Sequence, residues 1–340
     1  QMCIRDRLEA VNLINSERII LLSGGPGTGK TSTILQMLMQ AISRDPNLNI
    51  AMAAPTGKAA KKLKDTVQAG IENLQDPLKN KLATIPSKTL HRWLEAGPNG
   101  FRRNSKRLLK LDLIIIDEMS MVDLATINGL LDALTKSCQI ILVGDPNQLL
   151  PIGSSGIWQT LQEKETKTNF QENSIKLTKS YRNKGDIALL RNALKDDGVD
   201  AFWNLLSTKT ESPNALHYLS SLKSIPEPVV KTLLTYKKKL KNLTENCINH
   251  IPKESWQSSM IEVSQSVEIT KLLKFTESLL ILCPQRYGPW GVNKIHEFLL
   301  GKRFEKEVTR WSEGTPVMAK SNQPEICLLY TSDAADEIAS

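Results

Sequence analysis

The chain has 340 residues, of which 40% are hydrophobic and 24% charged, and its net charge of +8 gives a pI near 9.1. This length fits about two domains with a buried core, and no apolar run reaches the ~18 residues of a membrane span, so we expect a soluble protein. The positive charge favours a polyanionic partner, although many basic proteins bind none. Five cysteines without C-x-x-C spacing and four dispersed histidines argue against a disulfide framework or a zinc site and indicate a reducing cytoplasm.

Both ends of the chain have sequences typical of a translated sequencing adapter. Residues 2–7 read MCIRDR and residues 327–331 read CLLYT. One short DNA sequence, read on its two strands, encodes both. We therefore predict that residues 1–7 and 327–340 are non-native, and we exclude them from the fold prediction as one would a cloning scar.

The elements between these ends alternate in type. Four short apolar runs, each separated by stretches of helical periodicity, predict strands at residues 18–23, 49–54, 112–117 and 139–144. This alternation is typical of an α/β domain with a parallel sheet, which we place at residues 8–170 with a small basic insertion at 97–110. Residues 171–326 are predicted to form a second, partial α/β domain. It contains a helical region at 189–276 and a buried strand at 277–283.

The first strand leads into the sequence SGGPGTGKTST at residues 23–33, which fits the phosphate-loop spacing G-x-x-x-x-G-K-[ST]. Glycines let successive backbone amides turn towards an anion, Lys30 would reach the β- and γ-phosphates, and the Thr31 hydroxyl would bind Mg²⁺. A glycine-rich turn that binds nothing is the alternative. We predict that the loop binds ATP with Mg²⁺ through Gly24, Gly25, Gly27, Thr28, Gly29, Lys30, Thr31 and Ser32.

Two later strand ends carry the residues expected to complete hydrolysis. The segment DLIIIDEMSMVD ends its apolar run in Asp117, a second Mg²⁺ ligand acting through the water shell, and Glu118, which would accept the proton of the attacking water. The segment ILVGDPNQ brings Gln148, whose amide could sense the γ-phosphate or position water. A solvated strand end and an ordinary strand–turn–helix connection are the alternatives.

The order of these motifs resembles superfamily 1 helicases of the 5′→3′ class, and most closely the alpha subunits of exodeoxyribonuclease V. The resemblance covers residues 18–185 and 279–322. It rests on SGGPGTGKT, AAPTGKAAKKL, TLHRWL, LIIIDEMSMVD, LVGDPNQL, LTKSYR, LLILCPQRYGPWGVNKIHEFL and RWSEGTPVMAKSN. It implies two RecA-like (P-loop) domains, the second incomplete here, and an ATP-dependent DNA helicase subunit of a repair and recombination nuclease. The implied partners are single-stranded DNA, duplex DNA ends and the beta and gamma subunits of that enzyme.

The resemblance also assigns residues to DNA and to the γ-phosphate. The DNA path is implied to include Pro55, Thr56, Gly57, Lys58, Thr89, His91 and Trp93. Hydroxyl, amide and ammonium groups can grip phosphates without reading sequence. Trp93 is equally compatible with base stacking and with core packing. Arg182 is implied to reach the γ-phosphate from the second domain.

Several readings remain open from the sequence. The lysines at positions 61, 62 and 64 are interpreted as a solvated helix face, and the insertion as either a DNA-contacting hairpin or a charged loop. A stand-alone or conjugative 5′→3′ helicase is the rival enzyme. A DNA-binding or assembly subunit with an inactive ATP site is the rival of another class. Because relatives continue into further motor elements, we expect this 340-residue chain to bind Mg-ATP weakly and not to unwind duplex DNA.

Overall fold

The computed structural model describes residues 2–72, 74, 76–148, 157–162, 170, 172–179, 186–194, 198–208, 224–250, 266–302 and 315. The chain divides into two compact units, Gln1–Leu216 and His217–Ser340. Among the helices in these described ranges, none combines the length and the apolar character needed to cross a membrane.

The first unit is built on a six-stranded parallel sheet. Its strands are β1 (Ile19–Gly24), β2 (Ile50–Ala54), β3 (Ser87–Thr89), β6 (Leu113–Ile116), β7 (Gln139–Gly144) and β8 (Ser174–Leu177). Their order across the sheet is β3-β2-β6-β7-β1-β8. The four predicted strands are confirmed, and each of their ends lies within one residue of the prediction. The predicted α/β class with a parallel sheet is therefore correct for this unit.

Helices cover both faces of the sheet, so its strands are apolar on both sides. In β1, Ile20 and Leu22 belong to one buried cluster and Leu21 to the other. The helices of the unit are α1 (Met2–Leu13), α2 (Lys30–Arg44), α3 (Gly57–Gly70), α4 (Asp76–Thr84), α5 (Leu90–Trp93), α6 (Leu124–Ala133), α7 (Ile157–Gln162), α8 (Asp186–Asn192) and α9 (Gly198–Thr208).

The exit of β7 shows how closely the layers pack. Trp158 on α7 is fully buried, and its ring lies over Gly144, where an added Cβ would stand 2.7 Å from the ring. A side chain at this position would therefore force the helix away from the sheet. Gly144 lets the helix layer approach the strand end that precedes Gln148.

The sheet continues past the domain boundary predicted at residue 170. Strand β8 pairs in parallel with β1, with Leu22 opposite Ile175 and Gly24 opposite Leu177. Both Ile175 and Leu177 are buried in the cluster that α2 covers. Strand β8 therefore belongs to the first compact unit, Gln1–Leu216.

The predicted basic insertion forms a short antiparallel hairpin, β4 (Ala96–Gly97) with β5 (Gly100–Phe101). Glu95, whose backbone lies in the left-handed region at a φ of 50°, forms two ion pairs. Its Oε1 lies 2.7 Å from Arg103 Nε, and its Oε2 lies 2.8 Å from Arg107 Nη1. Part of the positive charge of the insertion is thus neutralised within the hairpin base.

In the second unit, the described elements are helical: α10 (Glu227–His250), α11 (Val267–Thr276) and α12 (Val292–Leu300). The strand predicted at 277–283 is wrong, because this segment adopts no strand, and Leu280 and Leu282 are 79% and 84% exposed. An apolar run forms a strand only where a neighbouring strand completes its hydrogen bonds. The described part of this unit contains no strand that could pair with it.

Candidate nucleotide site and adjoining surface

The loop after β1 has the backbone shape that a phosphate requires. Gly27 and Gly29 have φ values of 74° and 89°, the left-handed region that side chains disfavour. Gly29 is the N-cap of α2, and the Thr28 hydroxyl donates to the Gly25 carbonyl at 2.9 Å, which closes the loop on itself. The N-terminus of a 15-residue helix therefore opens onto a curved loop, which is an arrangement that attracts anions.

Lys30 lies at the start of α2 with its ammonium folded over this loop. Its Nζ donates to the Gly24 carbonyl at 2.6 Å and to the Gly25 carbonyl at 3.3 Å. These two hydrogen bonds hold the Lys30 ammonium inside the loop, where a phosphate would bind. An incoming phosphate can replace one carbonyl as the acceptor with little movement of the side chain.

Asp117 and Glu118 follow β6, the strand two positions from β1 in the sheet. The Glu118 backbone N–H donates to Asp117 Oδ1 at 2.9 Å, and Glu118 has a φ of 55°. Burial raises the pKa of Asp117, and the Glu118 charge raises it further. The Glu118 N–H and the Lys30 and Lys62 charges lower it. A buried carboxylate held this way would gain from a bound cation.

Gln148 is fixed from the side by a buried hydroxyl. Ser120, fully buried in the turn after β6, donates from Oγ to Gln148 Oε1 at 2.9 Å. With the carbonyl end of the amide engaged, the amide NH₂ is the end left for a ligand in the cleft. Sequence reasoning missed Ser120, because nothing in the spacing of DEMSM indicates which of its side chains turns towards the next strand.

These elements enclose one cleft of about 710 Å³. It brings together the predicted nucleotide and hydrolysis residues of the first unit, while Gly24 contributes only the carbonyl that accepts from Lys30. Arg182, the arginine predicted to reach the γ-phosphate, lies outside the described residues. The cleft lining is Arg7, Gly25, Pro26, Gly27, Thr28, Gly29, Lys30, Thr31, Ser32, Ala59, Lys62, Leu63, Thr66, Asp117, Glu118 and Gln148.

The lining fits Mg²⁺ bound together with a nucleotide. In the described part of the chain, no group of three or more His, Cys, Asp or Glu side chains could hold a metal ion alone. Mg²⁺ ordinarily keeps several waters and takes one or two protein ligands together with phosphate oxygens. Thr31 and Asp117, both in the lining, are of the right type for that shared coordination.

The predicted DNA-binding residues come from two neighbouring strand ends. Pro55–Lys58 follows β2, while Thr89 ends β3 and Leu90–Trp93 follows it. The two strands pair, with Ala54 opposite Thr89. Thr56 and Thr89 each accept a backbone N–H at 3.2 Å, from Ala59 and Arg92, and so cap the helices that follow. Each hydroxyl keeps its hydrogen for an outside acceptor.

Trp93 and His91 differ in how firmly they are held. The Trp93 indole Nε1 donates to the Met52 carbonyl at 3.0 Å, and its half-buried ring packs on the core below. His91 is exposed, and its ring packs edge-on against the Phe101 ring, with 6.1 Å between the ring centroids. Of the two readings for Trp93, the contacts favour core packing.

A phosphate loop that joins a central parallel strand to a helix and faces an Asp–Glu pair defines a P-loop nucleotide-binding domain. The profile of a family described as an AAA domain matches residues 7–154. The RecBCD enzyme subunit RecD of Mycolicibacterium smegmatis is 28% identical over 343 residues, which cover 97% of this chain and 56% of that protein. By sequence, the chain is therefore RecD-like.

Two further relatives match with different coverage. RecD of Buchnera aphidicola subsp. Acyrthosiphon pisum is 28% identical and covers 92% of this chain and 55% of its own length. The ATP-dependent RecD2 DNA helicase of Deinococcus radiodurans is 30% identical over 177 residues, or 52% of this chain and 21% of that protein. The chain spans about half the length of the two RecD relatives it matches, 56% and 55%.

Among solved structures, the Pif1 helicase from Candida albicans matches at a TM-score of 0.41. The sequence identity is 19%, over 70% of this chain and 54% of that chain. This likeness is too weak to bear on the site.

Proposed function

We propose that this chain is the ATP-hydrolysing part of a RecD-like 5′→3′ DNA helicase subunit that couples hydrolysis to movement on single-stranded DNA. The observation that carries the proposal is the convergence of Lys30, Asp117, Glu118 and Gln148 on one cleft beside the phosphate loop. A loop that bound only phosphate would not need an acid pair and a fixed amide opposite it. We propose ATP and Mg²⁺ as the ligands of this cleft.

Each residue has a role in the proposed reaction. Lys30 and the loop amides hold the β- and γ-phosphates, and Thr31 and Asp117 hold Mg²⁺, which neutralises charge on the phosphates when bound. Glu118 accepts the proton of the attacking water, and Gln148, oriented by Ser120, positions that water or the γ-phosphate. Arg182 is proposed to reach the γ-phosphate as the RecD-like sequence implies.

The DNA side of the proposal is supported by the two strand ends beside the cleft. Exposed Thr56, Gly57 and Lys58 offer a hydroxyl, an amide and an ammonium to phosphate oxygens, and exposed His91 lies on the adjacent connection. Contacts of this type give affinity that depends on salt and little on base sequence.

The breadth of the comparisons favours a complex subunit over a stand-alone helicase. The RecD relatives are matched over 92% or more of this chain, whereas the RecD2 helicase is matched over 52%. We therefore propose the other two subunits of exodeoxyribonuclease V, single-stranded DNA and duplex ends as partners, in recombination and repair. A cytoplasmic location belongs to the same proposal.

The test is ATP hydrolysis by the 340-residue chain, measured with and without an unstructured oligonucleotide. Lys30→Ala should weaken nucleotide binding, and Glu118→Gln should retain binding while lowering turnover. Lys136→Ala is the matched control, because this exposed lysine precedes the amino-terminal end of β7, whereas the cleft residues follow the carboxyl-terminal ends of the parallel strands. ATP binding without hydrolysis in the unsubstituted chain, and no change in Glu118→Gln, would favour a binding or assembly subunit instead.

A further inference from the structure

Helix α3 turns one face towards the nucleotide cleft. Ala59, Lys62, Leu63 and Thr66 all line the cleft, and their spacing of three, four and seven residues places them along one side of a helix. Ala59 and Leu63 are apolar, and Thr66 ends in a hydroxyl. Lys62 is the one that brings a full charge to the cleft from this helix.

The charge on Lys62 acts on the acidic end of the cleft. Burial raises the pKa of Asp117, and among the causes that oppose this rise are the positive charges of Lys30 and Lys62. These two lysines come from different helices, α2 and α3. They therefore approach the same carboxylate from separate walls of the cleft.

Lys62 shares the cleft with the residues of the proposed hydrolysis. Lys30 is bonded to the loop carbonyls of Gly24 and Gly25, which places it at the base of the phosphate curve. Lys62 lines the same cleft as Asp117, Glu118 and Gln148, where the proposed hydrolysis takes place. This is the end where the terminal phosphate and its attacking water would lie.

We propose that Lys62 is a second phosphate-binding cation, whose ammonium contacts the terminal phosphate of the nucleotide in this cleft. The inference rests on the proposed ATP site and adds a residue to it. Its rival is a simpler role in which Lys62 only balances the charge of Asp117 and Glu118. A counter-ion of that kind would not distinguish ATP from ADP.

The neighbouring lysine provides a matched comparison. Lys61 is also exposed on α3 but is absent from the cleft lining. One residue along a helix rotates the side chain by about 100°, so Lys61→Ala removes the same charge from a different face. Any effect of Lys62→Ala that Lys61→Ala does not share comes from the cleft.

The experiment is equilibrium binding of Mg-ATP and Mg-ADP to the 340-residue chain and its variants. For Lys62→Ala we expect the Kd for ATP to rise about tenfold, the scale of one charge-assisted hydrogen bond, and the Kd for ADP to change less than about twofold. Lys62→Arg should recover most of the ATP affinity, and Lys61→Ala should match the unsubstituted chain. Equal thermal midpoints would show that the fold is intact.

The outcomes separate this inference from the function on which it rests. If Lys62→Ala binds ATP as well as the unsubstituted chain does, or loses ATP and ADP affinity equally, the terminal-phosphate contact is overturned while the ATP site stands. If the unsubstituted chain binds no ATP, or binds it equally well after Lys30→Ala, the proposed function fails and the Lys62 contact fails with it.

Discussion

Replacing Trp93 with phenylalanine should weaken the fold and leave DNA binding nearly unchanged. The indole Nε1 donates to the Met52 carbonyl at 3.0 Å, and Met52 itself is 1% exposed. Phenylalanine keeps a ring on the core but leaves that carbonyl without this donor. We expect a loss of about 1 kcal/mol for the hydrogen bond and about 0.5 kcal/mol for the smaller apolar area.

The assay is urea unfolding followed by far-UV circular dichroism, paired with the fluorescence anisotropy of a labelled single-stranded oligonucleotide. Trp93→Phe should lower the free energy of unfolding by about 1.5 kcal/mol and change the DNA Kd less than about twofold. His91→Ala should do the reverse, because this ring is exposed and is proposed to contact DNA.

One result would refute the argument for anchoring. If Trp93→Phe unfolds at the same urea concentration as the unsubstituted chain but binds DNA about tenfold more weakly, the ring acts by stacking on a base, which contributes about 1–3 kcal/mol. The hydrogen bond to Met52 would then contribute nothing measurable to stability.

Three further predictions concern the cleft, the DNA surface and the sheet. Glu118→Gln should lower ATP turnover at least ~10²-fold while retaining Mg-ATP affinity, measured by single-turnover hydrolysis and equilibrium binding. Lys58→Ala should weaken all oligonucleotides alike and reduce the slope of log K against log salt by about one, whereas a loss confined to one sequence would contradict a phosphate contact. Burial raises the pKa of Asp117, so this group stabilises the fold most below its unfolded pKa and loses that contribution as the pH rises through the folded value. Asp117→Asn should therefore raise the thermal midpoint of the nucleotide-free chain at pH 8, by less at acid pH, and should weaken Mg-ATP binding; a lower midpoint at pH 8 would contradict the desolvation argument.

The central strands were predictable because each is an apolar run buried on both faces. That signal does not depend on distant partners, and β7 was predicted with its bounds correct. The short run SIKL that forms β8 was missed, since only its pairing with β1 makes it a strand. The run at 277–283 gave the opposite error, because apolar character alone cannot supply a pairing strand.

The site residues that belong to a motif of fixed spacing were predictable from the sequence. The residues that the tertiary structure alone brings to the cleft were not. Lys30 and Glu118 belong to motifs whose residue types are dictated by phosphate and water. Lys62 and Ser120 are ordinary residues in sequence, and they enter the site through the rotation of a helix and the closure of a turn. Helical spacing could have placed Lys62 on one face with Ala59 and Thr66, but it does not show that this face lines the nucleotide cleft.

Helix α3 is one unbroken rod of 14 residues, about 21 Å long, capped at its start by Thr56. Its first turn carries the proposed DNA contacts, and its flank lines the nucleotide cleft. Because the backbone hydrogen bonds of a helix resist compression, we expect a displacement of Lys62 or Thr66 to move Gly57 and Lys58 with it. The nucleotide and the DNA would then contact different parts of one rigid helix, and no chain of intervening side chains would be needed to couple the two sites.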